Sequence, residues 1–133
     1  MGRLFIEQLD ADQVYCCRRC AIHLVSLQSR VSKHFCGASG RAYLFDWAVN
    51  VKALREKDVE MSTGLHKIKK IQCKQCRIII GWTYVYAYEA SEKYKEGKFI
   101  IERAHIMKRK AIWKICKNEN EWITYSRITL EIK

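Results

Sequence analysis

A chain of 133 residues with 49% hydrophobic residues is long enough for one domain with a real core and too apolar to be disordered. Its seven cysteines, an odd number, argue against a secreted disulfide framework, and no run approaches the ~20 apolar residues of a membrane-spanning helix. The net charge of +11 invites nucleic acid, but the charge is spread along the chain, with local clusters at Lys67, Lys69, Lys70, Lys74 and Arg77 and at Lys108, Arg109 and Lys110. It reads as a solvated basic surface, so nucleic acid is not an expected partner.

The N-terminus lacks the apolar region of a signal peptide. Met1-Gly2 opens like a myristoylation site, but Ile6 stands where Ser or Thr is wanted. The expectation is a soluble intracellular protein, nuclear or cytoplasmic, with no membrane contact. Arg3–Ile6 reads as a short edge strand. Val14, Tyr15 and Cys16 lead into Cys17-Arg18-Arg19-Cys20, and Ile22 to Leu27 alternates loosely as a strand does. Residues 28–40 are polar and predict a loop. Residues 41–45 and 47–51 predict strands around a break at Asp46, and the charged residues 52–63 predict another loop. Leu65 to Gln72 is strand-like and delivers Cys73-Lys74-Gln75-Cys76.

A two-residue spacer lets one tight turn point both sulfurs of a Cys-x-x-Cys pair inward. Two pairs offer four thiolates, the number a tetrahedral zinc takes. The pairs lie far apart in sequence, so a metal on Cys17, Cys20, Cys73 and Cys76 would act as a clasp between distant segments. A redox-active pair is the competing reading. Four cysteines close the coordination sphere, which makes the expected single zinc structural, and no enzyme activity is expected. Arg18, Arg19, Lys74 and Arg77 are placed to offset the charge of four thiolates.

The clearest strand follows. Ile78, Ile80, Trp82, Tyr84 and Tyr86 alternate with Ile79, Gly81, Thr83 and Val85, so both faces are apolar and the strand is central. Gly81 predicts a bulge or a close backbone approach. Residues 87–96 have a helical composition ending at Gly97, and residues 98–103 return to strand. The predicted fold is mainly β with one short helix. The domain covers residues 1–107. A basic, aromatic extension follows over 108–133, in which Ile128, Leu130 and Ile132 alternate as in a strand.

Cys17-x-x-Cys20, Gly40-Arg-Ala-Tyr43-Leu44-Phe45, Asn50, Gly64-x-His66, Cys73-x-x-Cys76, Gly81-Trp82-x-Tyr84 and Tyr94-Lys95-Glu96-Gly97-Lys98-Phe99 appear in an order and spacing that resembles the Yippee-like family. The resemblance covers about residues 3 to 107. It implies one zinc on the four cysteines and a zinc-stabilised β-tent type domain, similar to the ligand-binding domain of cereblon, the Mis18 domains and the zinc-bearing methionine sulfoxide reductases. In the cereblon domain an aromatic cage binds a cyclic imide, which implies a similar wall at Trp82 and Tyr84. Trp47 and His66 are added as candidates for the same ligand- or partner-binding surface. Such walls favour flat or cationic groups. Tyr43 and Phe45 read as core.

His66 reads as a structural or pocket histidine rather than a further metal ligand. His23, His34 and His105 have no partner visible in sequence and read as surface or core-edge residues. The implied function is a zinc-binding interaction domain that recognises a protein segment or small ligand, with a ubiquitin-ligase or cell-cycle assembly as the kind of partner. Two alternatives from other classes are a methionine sulfoxide reductase type oxidoreductase using Cys36 or Cys116, and a nucleic-acid-binding zinc module.

Overall fold

The computed structural model describes residues 5–112 and, beyond them, the strand backbones of 115–118, 121–124 and 128–131. In chain order the strands are β1 (Gln13–Cys17), β2 (His23–Ser26), β3 (Arg30–Gly37), β4 (Gly40–Phe45), β5 (Val51–Met61) and β6 (Gly64–Cys73). After them come β7 (Ile79–Ala87), β8 (Phe99–Glu102), β9 (Ile106–Ile112), β10 (Ile115–Asn118), β11 (Glu121–Thr124) and β12 (Ile128–Glu131). They form a six-stranded sheet in the order β3-β4-β8-β7-β6-β5, a four-stranded sheet in the order β12-β9-β1-β2, and the β10-β11 pair. All recorded strand pairs are antiparallel.

The main core lies between the two larger sheets. Tyr15, Leu24 and Val25 from one meet Tyr43, Phe45, Ile71, Ile80 and Ile101 from the other. The opposite face of the six-stranded sheet buries Ala42, Leu44, Ile68, Tyr84 and Ile100. Neighbours along β4 and along β8 therefore feed different cores, as the continuous apolar runs of these strands require. The outer face of β1 carries Val14 and Cys16, which pack with Leu9 from the segment before β1.

Several expectations are corrected. Residues 28–40 and 52–63 are not loops. They form the two edge strands, β3 and β5, of the large sheet. Their polarity reflects their place: an edge strand faces solvent, and charges such as Lys52, Arg55, Lys57 and Asp58 guard it against pairing with other chains. Residues 47–50 form a bend rather than a strand, because the chain must pass from β4 to the far edge of the sheet. The predicted helix is only the 3-10 turn Ala90–Lys95, closed by Gly97 at φ 80. Phe5 and Ile6 belong to no strand, whereas Arg3 and Leu4 of the expected edge strand lie outside the described residues.

β7 is central, between β6 and β8, but its two faces do not follow simple alternation. Its register against β6 shifts between Gln72↔Ile79 and Ile71↔Gly81, and again between Ile68↔Tyr84 and Lys67↔Tyr86. Each shift inserts an extra residue, Ile80 and then Val85. Ile80 consequently packs into the main core while Trp82 and Tyr84 join the second one.

Residue 107 falls inside β9, whose pairing with β1 runs from Cys17↔Ile106 to Gln13↔Lys110. β12 then pairs outside β9, from Ile128↔Ile112 to Glu131↔Arg109. A chain cut after Met107 loses the partners of Gln13, Val14 and Tyr15. At about 1 kcal/mol per lost backbone hydrogen bond, its melting temperature is expected to fall by roughly 10 °C or more. A chain cut after Ile112 keeps that ladder and is expected to melt within a few degrees of the full chain. Thermal unfolding followed by circular dichroism compares the two.

Candidate functional site

Both Cys-x-x-Cys turns are built alike. Each opens at the last residue of a strand and ends before an isoleucine. The Cys17 N–H donates to the Ile22 carbonyl at 2.9 Å and Cys17 O accepts from Ala21 N–H at 2.8 Å. In the second turn the Cys73 N–H donates to Ile78 O at 2.9 Å and Cys73 O accepts from Arg77 N–H at 2.8 Å. The residue after each second cysteine has positive φ, 67° at Ala21 and 65° at Arg77. The flanking contacts match too: Arg18 N–H donates to His105 O and Lys74 N–H to Asn50 O, both at 2.9 Å.

The two turns meet. Cys17 Sγ lies 3.5 Å from Cys76 Sγ, Cys20 Sγ lies 3.4 Å from Cys73 Sγ, and all four sulfurs fall within 4.8 Å of one another. A tetrahedral zinc with bonds of about 2.3 Å sets its sulfurs about 3.8 Å apart, so the donor set and its spacing fit that ion. The backbone N–H of Cys76 points at Cys73 Sγ at 3.5 Å. Burial pushes the thiols of Cys17 and Cys73 up, against the pull of backbone donors in their own turns. At Cys76 burial also acts upward, but hydrogen bonds from the Ile78 backbone and the neighbouring sulfurs outweigh it and lower the pKa. A divalent cation among these sulfurs would replace the protons that they otherwise hold. Because one turn ends β1 and the other ends β6, the ion would clasp the two sheets across the main core.

Of the cations expected to offset the thiolates, the Arg18 guanidinium donates to Ile106 O at 2.9 Å and the Lys74 ammonium lies over the Phe5 ring. Cys16 points away from the cluster, into the small core with Leu9, and burial raises its pKa to about 11. His66 is fully buried but is not part of the cysteine cluster.

On the other face of the large sheet lies a cleft of about 600 Å³. Its walls come from β3 (Ser32, His34, Phe35, Cys36), the β5–β6 turn (Met61, Ser62, Thr63), β7 (Trp82, Tyr84) and the 3-10 turn (Glu92, Tyr94, Lys95). The rings of Trp82 and Tyr84 stand edge to face, 6.3 Å apart. Trp82 also lines a second cleft of about 410 Å³ with Gly81, Lys70, Glu102 and His105, so its indole is the partition between the two. The Trp82 N–H lies near enough to the Tyr84 hydroxyl to oppose the rise that burial gives the phenol, yet it makes no hydrogen bond of normal geometry. Beneath Tyr84, at 5.2 Å between rings, His66 binds the Gly64 carbonyl through Nδ1 at 2.9 Å and leaves Nε2 without a partner.

A family model, described as Yippee zinc-binding/DNA-binding/Mis18, centromere assembly, matches residues 13–121. The chain belongs to the Yippee-Mis18 family. It is 47% identical over 116 residues to a yippee-like protein of Oryza sativa subsp. japonica, covering 81% of this chain and 98% of that one. It is 43% identical over 99 residues to protein yippee-like 3 of Homo sapiens and of Bos taurus, covering 74% of this chain and 83% of theirs. The crystal structure of the Mis18 Yippee-like domain superposes with a TM-score of 0.59 at 15% identity, over 72% of this chain and 93% of that one, a likeness of fold. The mainly β architecture is thus that of the Yippee-like domain.

Within this Yippee domain the structure brings Trp82 and Tyr84 to one cleft and places His66 under its floor. It does not bring Trp47 there. Trp47 lies in the bend after β4, 39% exposed, and is absent from both clefts. Tyr43 and Phe45 are core. His23 is buried rather than at the surface, and its Nδ1 accepts the Leu9 N–H at 2.9 Å. Cys36 is exposed on the cleft rim, while the side chain of Cys116 lies outside the described residues. Reading the sequence missed Phe35, Glu92, Tyr94 and Lys95 as cleft residues. The Tyr94-to-Phe99 motif was their one visible signal. Asn50 was also visible only as a motif residue: at φ 59 it exchanges two hydrogen bonds of 2.8 Å with Glu7 and donates to His23 O at 2.7 Å, pinning the N-terminal segment.

Proposed function

We propose that this Yippee domain is a recognition module, not an enzyme, which holds one structural zinc per chain on Cys17, Cys20, Cys73 and Cys76. It binds a segment of a protein partner in the cleft walled by Trp82 and Tyr84. The observation that carries this reading is a cleft of about 600 Å³ on the face of the large sheet opposite the main core, with an aromatic wall of Trp82 and Tyr84 and polar groups from Thr63, Glu92 and Lys95. Clefts with aromatic walls and a few placed polar groups are the usual form of a binding site. A closed set of four thiolates leaves zinc no free position for substrate, which supports a structural role. A regulatory assembly in nucleus or cytoplasm, of the ubiquitin-ligase or cell-cycle kind, is the setting this reading gives it. Among the described residues no helix is long and apolar enough to cross a membrane.

The net charge of +11 and the family's description favour DNA binding as the second reading. An affinity for DNA that falls steeply with salt would support it.

Trp82→Ala tests the first reading. Because the side chain is only half-buried, the variant is expected to keep its zinc and to lose roughly 2 kcal/mol of stability, less than the ~3–5 of a fully buried ring. It is expected to lose, by tenfold or more, a partner that the wild type retains in purified form. A folded, zinc-bearing variant that binds that partner as before would sink the cleft as the recognition site.

A further inference from the structure

The aromatic wall is not empty of charge. The Lys95 ammonium lies 5.1 Å from the centre of the Phe35 ring, 5.4 Å from that of Tyr84 and 5.9 Å from that of Tyr94. These distances are within the range at which a ring face attracts a cation. The same ammonium pairs with Glu92 at 2.6 Å and donates to Thr63 Oγ1 at 3.3 Å. Its side chain is 3% exposed, which a lysine tolerates only with such partners. Three rings and a carboxylate around an ammonium are the elements of a site for organic cations, and here the chain supplies the cation itself. The hydrogen bond from Lys95 also holds the Glu92 carboxyl below its usual range.

We propose that Lys95 is the built-in occupant of this aromatic cage and sets the specificity of the cleft by closing it to organic cations. The inference rests on reading the cleft as the recognition site and adds which ligands it refuses. A lysine, methylated lysine or choline-like group on a partner finds the ring faces taken and meets the charge of Lys95. The cationic half of what an aromatic wall ordinarily attracts is thereby removed.

The test vacates the cage. Wild type, Lys95→Ala and Lys95→Met are titrated with tetramethylammonium chloride against sodium chloride at equal ionic strength, reading the Trp82 indole N–H resonance. Wild type is expected not to respond. Lys95→Ala is expected to show a saturable shift, with affinity at least tenfold above any wild-type response, weakened when Glu92→Gln is added. Lys95→Met refills the cage without charge and is expected to stay silent. A wild type that titrates like Lys95→Ala, or a folded Lys95→Ala that stays silent, overturns the proposal. If Lys95→Ala folds poorly, tetramethylammonium is expected to raise its melting temperature and not that of the wild type, and no rise overturns the proposal equally. Partner binding by wild type and Trp82→Ala is measured in parallel. If Trp82→Ala keeps the partner, the recognition reading fails while the cage result stands on its own titration.

Discussion

Replacing any one of Cys17, Cys20, Cys73 or Cys76 with serine is expected to abolish stable zinc binding and unfold the domain at ordinary temperature. Structural zinc contributes on the order of 10 kcal/mol in small metal-dependent domains, whereas a whole domain is stable by about 5–15. The loss is not confined to the turn that carries the change, because the first pair ends β1 in the four-stranded sheet and the second ends β6 in the six-stranded one. Three remaining thiols, one or two of them buried against the main core, would be left close together with no ion to share. Cys36→Ser, at an exposed thiol away from the cluster, and Cys116→Ser are expected to retain both zinc and melting temperature. Elemental analysis and thermal unfolding measure the outcome. Purified wild type that carries no metal, with a melting temperature indifferent to chelator, would overturn the assignment.

Gly81→Ala is expected to be the most damaging change outside the cysteines. A Cβ at this position would overlap the Ile100 carbonyl oxygen and lie 2.8 Å from the Ile100 carbonyl carbon and 3.0 Å from Ile101 Cα. These are backbone atoms of β8, which cannot swing aside as a side chain does. Relief requires separating β7 from β8 where Gly81 pairs with Ile101 and Trp82 with Ile100. The expected cost is about 3 kcal/mol, or a fall of roughly 10 °C in melting temperature. Indole fluorescence is expected to change with it, since Trp82 is the next residue. An unchanged melting temperature would mean that β8 lies farther from β7 than described.

How much of this was legible in the sequence depended on how local the cause was. The metal cluster follows from two four-residue motifs and the coordination preference of zinc. That β7 is a central strand follows from its apolar run. Which residues share a face of β7 does not, because the extra residues Ile80 and Val85 break the two-residue period, and only Gly81 hinted at the irregularity. The edge strands β3 and β5 were misread as loops, since exposure on an edge and exposure in a loop select the same polar residues. Beyond the motif that holds Tyr94 and Lys95, the cage around Lys95 was not legible. It depends on β3, one edge of the sheet, curling close to the 3-10 turn after β7, and no local pattern announces that Phe35 and Lys95 are neighbours.

The pairing of β1 with β9 has a consequence for the order in which the protein can be assembled. Cys17 is bonded in register to Ile106, so the strand that carries the first knuckle has no neighbour on that side until roughly 90 further residues have been synthesised, on the order of 10 s of translation. The β1–β2 and β6–β7 hairpins are local and can close early, each holding two of the four clustered thiols. Joining the halves must wait for the chain between them to cross the sheet. During synthesis, then, the nascent chain displays an early pair of cysteines with nothing to complete it. The four-sulfur site joins segments at least 53 residues apart in sequence, so zinc capture is a long-range contact that neither hairpin can make alone.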